Sequence, residues 1–209
     1  MKQSNLFKLI VISPPENKTD EINILHSLFN CGLQTFHLRK PDFSKKEIEK
    51  YLLRISPEFY PRIVLHNHYE LTLKYGLKGI HLTEKSKKNT SKIFLDHFKN
   101  KSISASFHSI QDVLKCRRNY EYIFLSPVFD SISKKEYASR FDNQNISALF
   151  DKIKKRKKNI LPVIALGGMN LQTINKAKQL GFSGAAMLGG IWENDNPEKV
   201  FKEISLKIL

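Results

Sequence analysis

Cysteine is scarce in this chain, with two residues among 209 and no CxxC or other metal-ligand spacing between them. A small disulfide-stapled scaffold is therefore excluded, and Cys31 and Cys116 are expected to be buried or half-buried thiols in a reducing compartment. Long apolar runs are also missing, since no segment approaches about 18 consecutive apolar residues. The first residues lack the apolar segment of a signal peptide. We expect a soluble cytoplasmic protein with no membrane partner.

Acidic residues are few, with 20 Asp and Glu against 35 Lys and Arg, which gives a formal net charge of +15. Such an excess of positive charge favours anionic ligands. Part of the excess lies in lysine-rich runs at 85–88 and 152–158, for which a basic, solvated surface helix is the simpler interpretation. Nucleic acid is therefore disfavoured as a partner. Small phosphorylated molecules are preferred, because one or two phosphates need only a few cations and backbone donors.

Short β-rich runs alternate with helical patterns along the whole chain, which is typical of a parallel sheet with crossover helices. The predicted strands are 6–13, 35–39, 62–66, 79–82, 102–106, 122–125, 161–166 and 184–188. The predicted helices are 20–31, one beginning with a capping box at Ser44 and Glu47, 69–75, 91–99, 110–117, 146–156, 171–180 and 197–208. Eight strands, each followed by a helix, predict an α/β fold of the (β/α)8 TIM barrel type. With 209 residues there is room for one domain, 1–209, and no second one.

The competing architecture is an open, doubly wound parallel sheet. As a nucleotide binder it would need a glycine-rich turn after the first strand, and residues 13–17 contain no glycine. The missing glycines argue against an open sheet that binds a nucleotide. They do not argue against an open sheet as the fold.

The carboxyl ends of the strands form the reactive face of such a barrel, so residues there are candidates for the site. Arg39 ends the second strand on the same face as His37 and offers a planar fork for a phosphate. Glycine pairs end the seventh and eighth strands at 167–168 and 189–190, where backbone amides often hold a phosphate. The loop after the sixth strand carries Ser131, Ser133 and Lys134, with both hydroxyls on one side if the loop is extended.

Four histidines, His37, His66, His68 and His81, lie at the ends of the second, third and fourth predicted strands. Imidazoles gathered in this way make a metal cluster conceivable. No carboxylate accompanies them at a strand end, so a metal-dependent hydrolase is the less favoured interpretation.

Five segments carry a resemblance to a known family: 37–40, 79–82, 106–109, 126–129 with the serines and lysine that follow, and 165–169. In this order and spacing the chain resembles the thiamine-phosphate synthase superfamily, which includes the thiazole tautomerases, from about residue 6 to residue 192. The resemblance implies a barrel enzyme that joins a hydroxymethylpyrimidine diphosphate to a thiazole phosphate and releases diphosphate with the help of Mg²⁺. It also makes a homodimer plausible.

The same resemblance assigns roles to residues. It implies that Arg39, Ser106 and Lys134 hold the diphosphate and act in catalysis. It further implies a set of substrate-binding positions: His37 beside the pyrimidine, Lys40, Asn67, the hydroxyls of Ser131 and Ser133, and the backbone of Gly167, Gly168, Leu188 and Gly189 around the thiazole phosphate.

The sequence departs from the family pattern where the family holds its metal. An Asn-Asp pair and a second Asp, the family's Mg²⁺ ligands, are matched here by His66-Asn67 and by Ser86. Neutral side chains are poor replacements for carboxylates on a hard divalent ion, so the Mg²⁺ requirement is left open, with Glu84 as a substitute ligand from the same loop. The family's motif has a second cation at the position that is Pro41 here. In this chain the lysine, Lys40, comes one place earlier.

Two further functions therefore stay open beside the transferase. A tautomerase is favoured by His37 and by the Gly-Gly-Met ending at 167–169, with His37 or His66 as the general base. Against it, the tautomerase's catalytic histidine would fall on Pro127, which agrees with the synthases. The other alternative is a non-catalytic or regulatory protein that binds phosphates of the thiamine pathway.

Overall fold

The computed structural model describes residues 7–130, 141–155 and 161–208, and it shows a closed barrel of parallel strands. Each strand pairs with the next along the chain, and β1 closes the ring against β8. The strands are β1 Lys8–Ile12, β2 Phe36–Leu38, β3 Ile63–Leu65, β4 Gly79–Leu82, β5 Ser102–Phe107, β6 Tyr122–Leu125, β7 Val163–Leu166 and β8 Gly184–Met187. All eight strands predicted from the sequence are confirmed, and so is the TIM-barrel fold class.

The strands bury two separate apolar layers because their side chains alternate between the two faces. A small cluster fills the inside of the barrel: Ile10, Ile12, Tyr122, Phe124, Ile164 and Ala186. The larger layer lies between the strands and the surrounding helices and includes Leu38, Leu65 and Leu125. Both faces are covered, which explains why the strands read as nearly continuous apolar runs.

Helices follow the strands around the barrel. They are α1 Glu21–Asn30, α2 Lys45–Leu52, α3 Glu70–Lys74, α4 Glu84–Asn89, α5 Lys92–Asp96, α6 Ile110–Lys115, α7 Asn143–Lys154, α8 Ile174–Leu180, α9 Gly189–Trp192 and α10 Pro197–Ile208, with a 3₁₀ helix at Pro57–Arg62. The predicted capping box is present, since Ser44 accepts from the Glu47 amide while the Glu47 carboxylate accepts from the Ser44 amide. Gly32 follows α1 with φ +97°, the left-handed conformation expected of a helix-terminating glycine.

Two short elements are not among the predicted helices: the 3₁₀ helix and α4. α4 falls within the lysine-rich run, where no apolar periodicity marks a helix, and the signal for it is the cap. Thr83 accepts from the amide of Ser86 and so starts the helix directly after β4. α7 begins at Asn143, three residues before the predicted start, because Asp142 caps it by accepting from the Asn145 amide.

Cys31 and Cys116 are free and half-buried, as expected. Within the described ranges, no helix has both the length and the apolar character needed to cross a bilayer.

Candidate active site

The carboxyl ends of the strands bring together most of the residues that the sequence marks as a site. The strand register aligns these ends at one rim of the barrel. The predicted site residues at or next to that rim are His37, Arg39, Lys40, Asn67, Ser106, Gly167, Gly168, Leu188 and Gly189. Ser131, Ser133 and Lys134 lie outside the described residues.

A chain of hydrogen bonds crosses the inside of the barrel from β6 to β3. Tyr122 OH lies 2.7 Å from His37 Nε2, and His37 Nδ1 lies 2.9 Å from His66 Nε2. His66 Nδ1, at the other end of the chain, is buried and has no hydrogen-bond partner among the described residues. A neutral imidazole has one donor and one acceptor nitrogen, so reversing every bond of the chain converts His66 Nδ1 from donor to acceptor. His66 Nδ1 can therefore donate a hydrogen bond to a ligand or accept one from it.

His81 stands beside this chain and is tied to β5. Its Nδ1 lies 2.8 Å from Ser104 Oγ and its Nε2 lies 2.8 Å from Ser106 Oγ, while its ring stacks on that of His66 at 4.4 Å. Burial, reinforced by the positive charges of Lys87 and Arg39, lowers the pKa of His81 to about 3. Burial is also the main reason why the pKa values of His37 and His66 lie well below the ordinary value. The three histidines are therefore neutral at physiological pH.

This neutrality predicts a pH-dependent stability. Histidines in the unfolded chain take up protons below pH about 6.5, while these three in the folded chain do not. The free energy of unfolding should therefore fall as the pH drops from 7 to 5, which is above the pKa of about 3 of folded His81. Melting followed by circular dichroism at each pH measures the effect. His81→Gln should flatten the dependence, whereas His97→Gln, at an exposed position, is the matched control. A melting temperature that stays level from pH 7 to 5 would contradict this account.

The histidine cluster is also the place where a metal is conceivable. Nitrogens of His37, His66 and His81 lie within 4.8 Å of one another, so the expectation that strand-end histidines meet is confirmed for these three. His68 is apart from them, because its Nε2 is 2.9 Å from the carbonyl oxygen of Phe43. Imidazoles suit transition metals, whereas Mg²⁺ prefers oxygen ligands. The cluster is therefore a neutral polar lining of the barrel and not a magnesium site.

Arg39 is held at the rim by its backbone. The hydroxyl of buried Ser13 accepts from the Arg39 amide at 2.7 Å and donates to the Arg39 carbonyl oxygen at 3.0 Å. The side chain is half-buried and forms no ion pair within the described ranges. After burial and the neighbouring histidines, the Arg39 charge also lowers the pKa of His66. Its guanidinium thus acts on the same histidines that line the barrel.

Lys40 points into the protein and not into open space. Its Nζ donates to Glu21 Oε2 and to the carbonyl oxygen of Glu16, each at 2.7 Å, and Tyr51 OH donates to Glu21 Oε1 at 2.6 Å. The side chains of Lys40 and Glu21 are 0% and 3% exposed. Burial lowers the pKa of Lys40, and Glu21 opposes this shift. Two of the three ammonium donors are therefore used internally, and the structure gives Lys40 the role of anchoring β2 to α1.

Lys87 is a site residue that sequence reasoning missed. The run 85–88 was interpreted as solvated, yet Lys87 Nζ donates to the carbonyl oxygen of Ser106 at 2.8 Å and lies 3.5 Å from the centroid of the Phe107 ring. Its side chain is only 14% exposed. The Thr83 cap, which starts α4 directly after β4, is the sequence signal that could have revealed it, because the first turn of α4 brings Lys87 to the end of β5.

The two glycine pairs meet the neighbouring loops at close range. A Cβ on Gly168, whose φ is +62°, would lie 2.4 Å from the carbonyl oxygen of Asp130, and one on Gly190 would lie 2.2 Å from that of Met169. The loop after β6 is also tied to β7, because the Phe129 amide donates to the Gly167 carbonyl oxygen at 3.2 Å. Glycine is therefore required where these backbones approach each other.

Comparison with known proteins identifies the family. A family model described as thiamine monophosphate synthase matches residues 9–191. The chain belongs to the thiamine monophosphate synthase family. A thiamine-phosphate synthase from Staphylococcus saprophyticus is 23% identical over 190 residues, which cover 87% of this chain and 85% of the relative.

Two solved structures share the barrel. A thiamine phosphate pyrophosphorylase from Bacteroides thetaiotaomicron is 31% identical, with a TM-score of 0.76 and coverage of 97% of both chains. One from Pyrococcus furiosus is 17% identical, with a TM-score of 0.78 and coverage of 98% of both chains. Family membership and the barrel therefore agree with the resemblance found in the sequence.

The Mg²⁺ that the family implies does not fit the donors that the described residues offer at the matching positions. Asn67 donates its amide to the Lys40 carbonyl oxygen at 3.0 Å, which leaves one neutral, buried Oδ1. Ser86 Oγ already accepts from Tyr69 OH and donates to the Thr83 carbonyl oxygen, each at 3.2 Å. The substitute ligand Glu84 is paired with Lys87 at 3.0 Å and with Lys88 at 3.8 Å. Mg²⁺ is held in proteins mainly by carboxylates, and the two family positions supply none.

Proposed function

We propose that this chain is a thiamine-phosphate synthase that joins a hydroxymethylpyrimidine diphosphate to a thiazole phosphate. The observation that carries the proposal is the gathering of Arg39, Ser106 and the two glycine pairs at one rim of the barrel in a member of this family. These are a cationic fork, a hydroxyl and the backbone amides of half-buried glycines, the kinds of group that bind phosphates.

The reaction breaks the bond between the pyrimidine methylene carbon and the bridging oxygen of the diphosphate. The electron pair of that bond leaves with the oxygen, and the thiazole nitrogen donates its lone pair to the methylene carbon to form the new C–N bond. The products are a thiazolium phosphate and diphosphate. Because negative charge grows on the departing oxygen, fixed positive charge at Arg39 and donors such as Ser106 stabilise the transition state more than the substrate.

For the thiazole phosphate, we assign the amides of Gly168, Leu188 and Gly189, with Gly167 shaping the turn. Ser131 and Ser133 complete this site in our proposal. In support of it, the chain just before Ser131 packs against Gly168 through the carbonyl oxygen of Asp130.

For the pyrimidine, we assign the polar lining formed by His37, His66 and Asn67. Asn67 Oδ1 and His66 Nδ1 are both buried without partners among the described residues. Unpaired buried polar atoms destabilise the fold, and a ligand with complementary donors and acceptors would remove this penalty. Lys40 takes part indirectly in this proposal, by holding the end of β2.

Replacing Lys134, the lysine of the family motif, tests the assignment. Lys134→Ala should lower turnover to thiamine phosphate by about 10²-fold or more, because a cation on the leaving diphosphate is lost. The measurement is formation of thiamine phosphate from both phosphorylated halves, read by mass. Lys135→Ala removes a neighbouring charge and should leave turnover within about twofold. Equal turnover in the two variants would remove Lys134 from the site.

The open end of the Tyr122–His37–His66 chain favours a thiazole tautomerase as the second candidate function. Such an enzyme needs a group that takes a proton from one position and returns it at another, and His66 Nδ1 can be donor or acceptor. In the same assay a tautomerase would isomerise the thiazole phosphate without any pyrimidine present. A regulatory binder would show a rise in melting temperature with thiazole phosphate and no product.

We further propose a cytoplasmic protein of one domain, 1–209, that acts on small phosphorylated substrates as a homodimer. Sedimentation equilibrium of the purified chain tests the dimer directly, since a single species of monomer mass would exclude it.

A further inference from the structure

Lys87 brings a second fixed positive charge to the rim where Arg39 stands. Its ammonium has three donors, of which one goes to the Ser106 carbonyl oxygen at 2.8 Å and one to Glu84 at 3.0 Å. The third has no hydrogen-bond acceptor among the described residues. The Phe107 ring packs against the ammonium group, with its centroid 3.5 Å from Nζ. The Lys87 side chain is therefore held in place without a ligand.

The charge of Lys87 is only partly neutralised. Glu84 is its single carboxylate partner within the described ranges, and Glu84 also pairs with Lys88 at 3.8 Å. After burial, Lys87 and then Arg39 are the causes that lower the pKa of His81, so both charges act on the same imidazole. Both charges therefore favour an anion bound beside His81.

Among the described residues, the two positions where the family has aspartates are Asn67 and Ser86, which offer no carboxylate to a divalent cation. We propose that Lys87, together with Arg39, takes the place of the divalent cation and binds the diphosphate without metal. Lys87 adds one fixed positive charge to that of Arg39, which the family resemblance already places on the diphosphate, and this charge needs no carboxylates to hold it. The inference rests on the proposed function for the identity of the anion, which is the leaving diphosphate.

Titration calorimetry with inorganic diphosphate tests this inference without any turnover. The titrations are made at an ionic strength of about 0.15 M, where long-range effects of the net charge are screened, once with excess EDTA and once with Mg²⁺. The wild-type chain should bind diphosphate in EDTA, with an affinity that Mg²⁺ changes by less than about threefold. Lys87→Met should weaken binding by about tenfold or more, because a charge-assisted hydrogen bond is lost.

Lys88→Met is the matched control, since Lys88 pairs with the same Glu84 but its side chain is 74% exposed. It removes the same net charge and should change the affinity by less than about threefold. Glu84→Gln is a second, independent variant, which removes the partner that competes with the ligand and should tighten binding. It keeps the inference testable if Lys87→Met does not fold.

Binding that requires Mg²⁺ in the wild type, or equal weakening in the Lys87 and Lys88 variants, would overturn the inference. Its failure is distinguishable from failure of the proposed function. Metal-free binding through Lys87 without synthesis of thiamine phosphate would reject only the function. Synthesis that needs Mg²⁺ and is unaffected by Lys87→Met would reject only the inference.

Discussion

Arg39→Met should lower kcat/KM for thiamine phosphate formation by about 10²- to 10³-fold while leaving the fold intact. The size follows from the loss of a fixed charge that meets the leaving diphosphate as its negative charge develops. Because this charge is largest in the transition state, kcat should fall more than KM rises. Arg39→Lys should recover only part of the activity, since an ammonium cannot replace two parallel donors of a guanidinium. Steady-state kinetics of the purified variants measures both effects.

The control for this prediction is Arg54→Met, which removes the same charge from an exposed position in the loop after α2. It should leave kcat/KM within about twofold. Ser13 holds the Arg39 backbone, and the methionine side chain needs no new contact there, so melting temperatures should stay close to that of the wild type. If Arg39→Met and Arg54→Met are equally active, Arg39 has no catalytic role.

Lys40→Met should lower the free energy of unfolding by about 3–5 kcal/mol, because it leaves the Glu21 carboxylate buried without its cation. Glu21 is 3% exposed, and without Lys40 its carboxylate would keep the hydrogen bonds from Tyr51 OH and from the backbone amide of Lys18, but no cation. Urea denaturation monitored by circular dichroism measures the change. The double variant Lys40→Met with Glu21→Leu should recover part of the loss, because it removes both buried charges but leaves Tyr51 OH without its acceptor.

An exposed ion pair provides the comparison. Lys202 and Glu198 lie 2.6 Å apart on α10 with side chains 57% and 42% exposed, and Lys202→Met should change the free energy of unfolding far less than Lys40→Met does. If Lys40→Met costs no more than Lys202→Met, the buried pair does not anchor β2 to α1 as described.

The barrel could be predicted because its strands are short, apolar on both faces and separated by helical patterns. The predicted bounds of β4 and β6 are the observed ones, and each strand directly follows a charged residue, Lys78 and Glu121 respectively. The start of α7 could not be predicted in the same way. The apolar periodicity begins at Ile146, but the Asp142 cap starts the helix three residues earlier, at Asn143.

The site was less accessible to sequence reasoning because its decisive contacts join distant elements. The hydrogen bond of His37 to Tyr122 spans 85 residues and crosses the barrel, and no local pattern announces it. Lys40 has the chemistry of a phosphate ligand, and only the placement of Glu21 at the start of α1 shows that its charge is used inside the protein. Lys87 could not be predicted from the sequence, because a lysine within a lysine-rich run is usually solvated.

A single-turnover experiment with both phosphorylated halves tests the central claim most directly. Enzyme in excess is mixed with the hydroxymethylpyrimidine diphosphate and the thiazole phosphate, the reaction is quenched at intervals, and thiamine phosphate and diphosphate are quantified together. The account predicts that the two products appear at the same rate and in equal amounts, and that Arg39→Met slows both alike. Isomerised thiazole phosphate with no diphosphate released would contradict it.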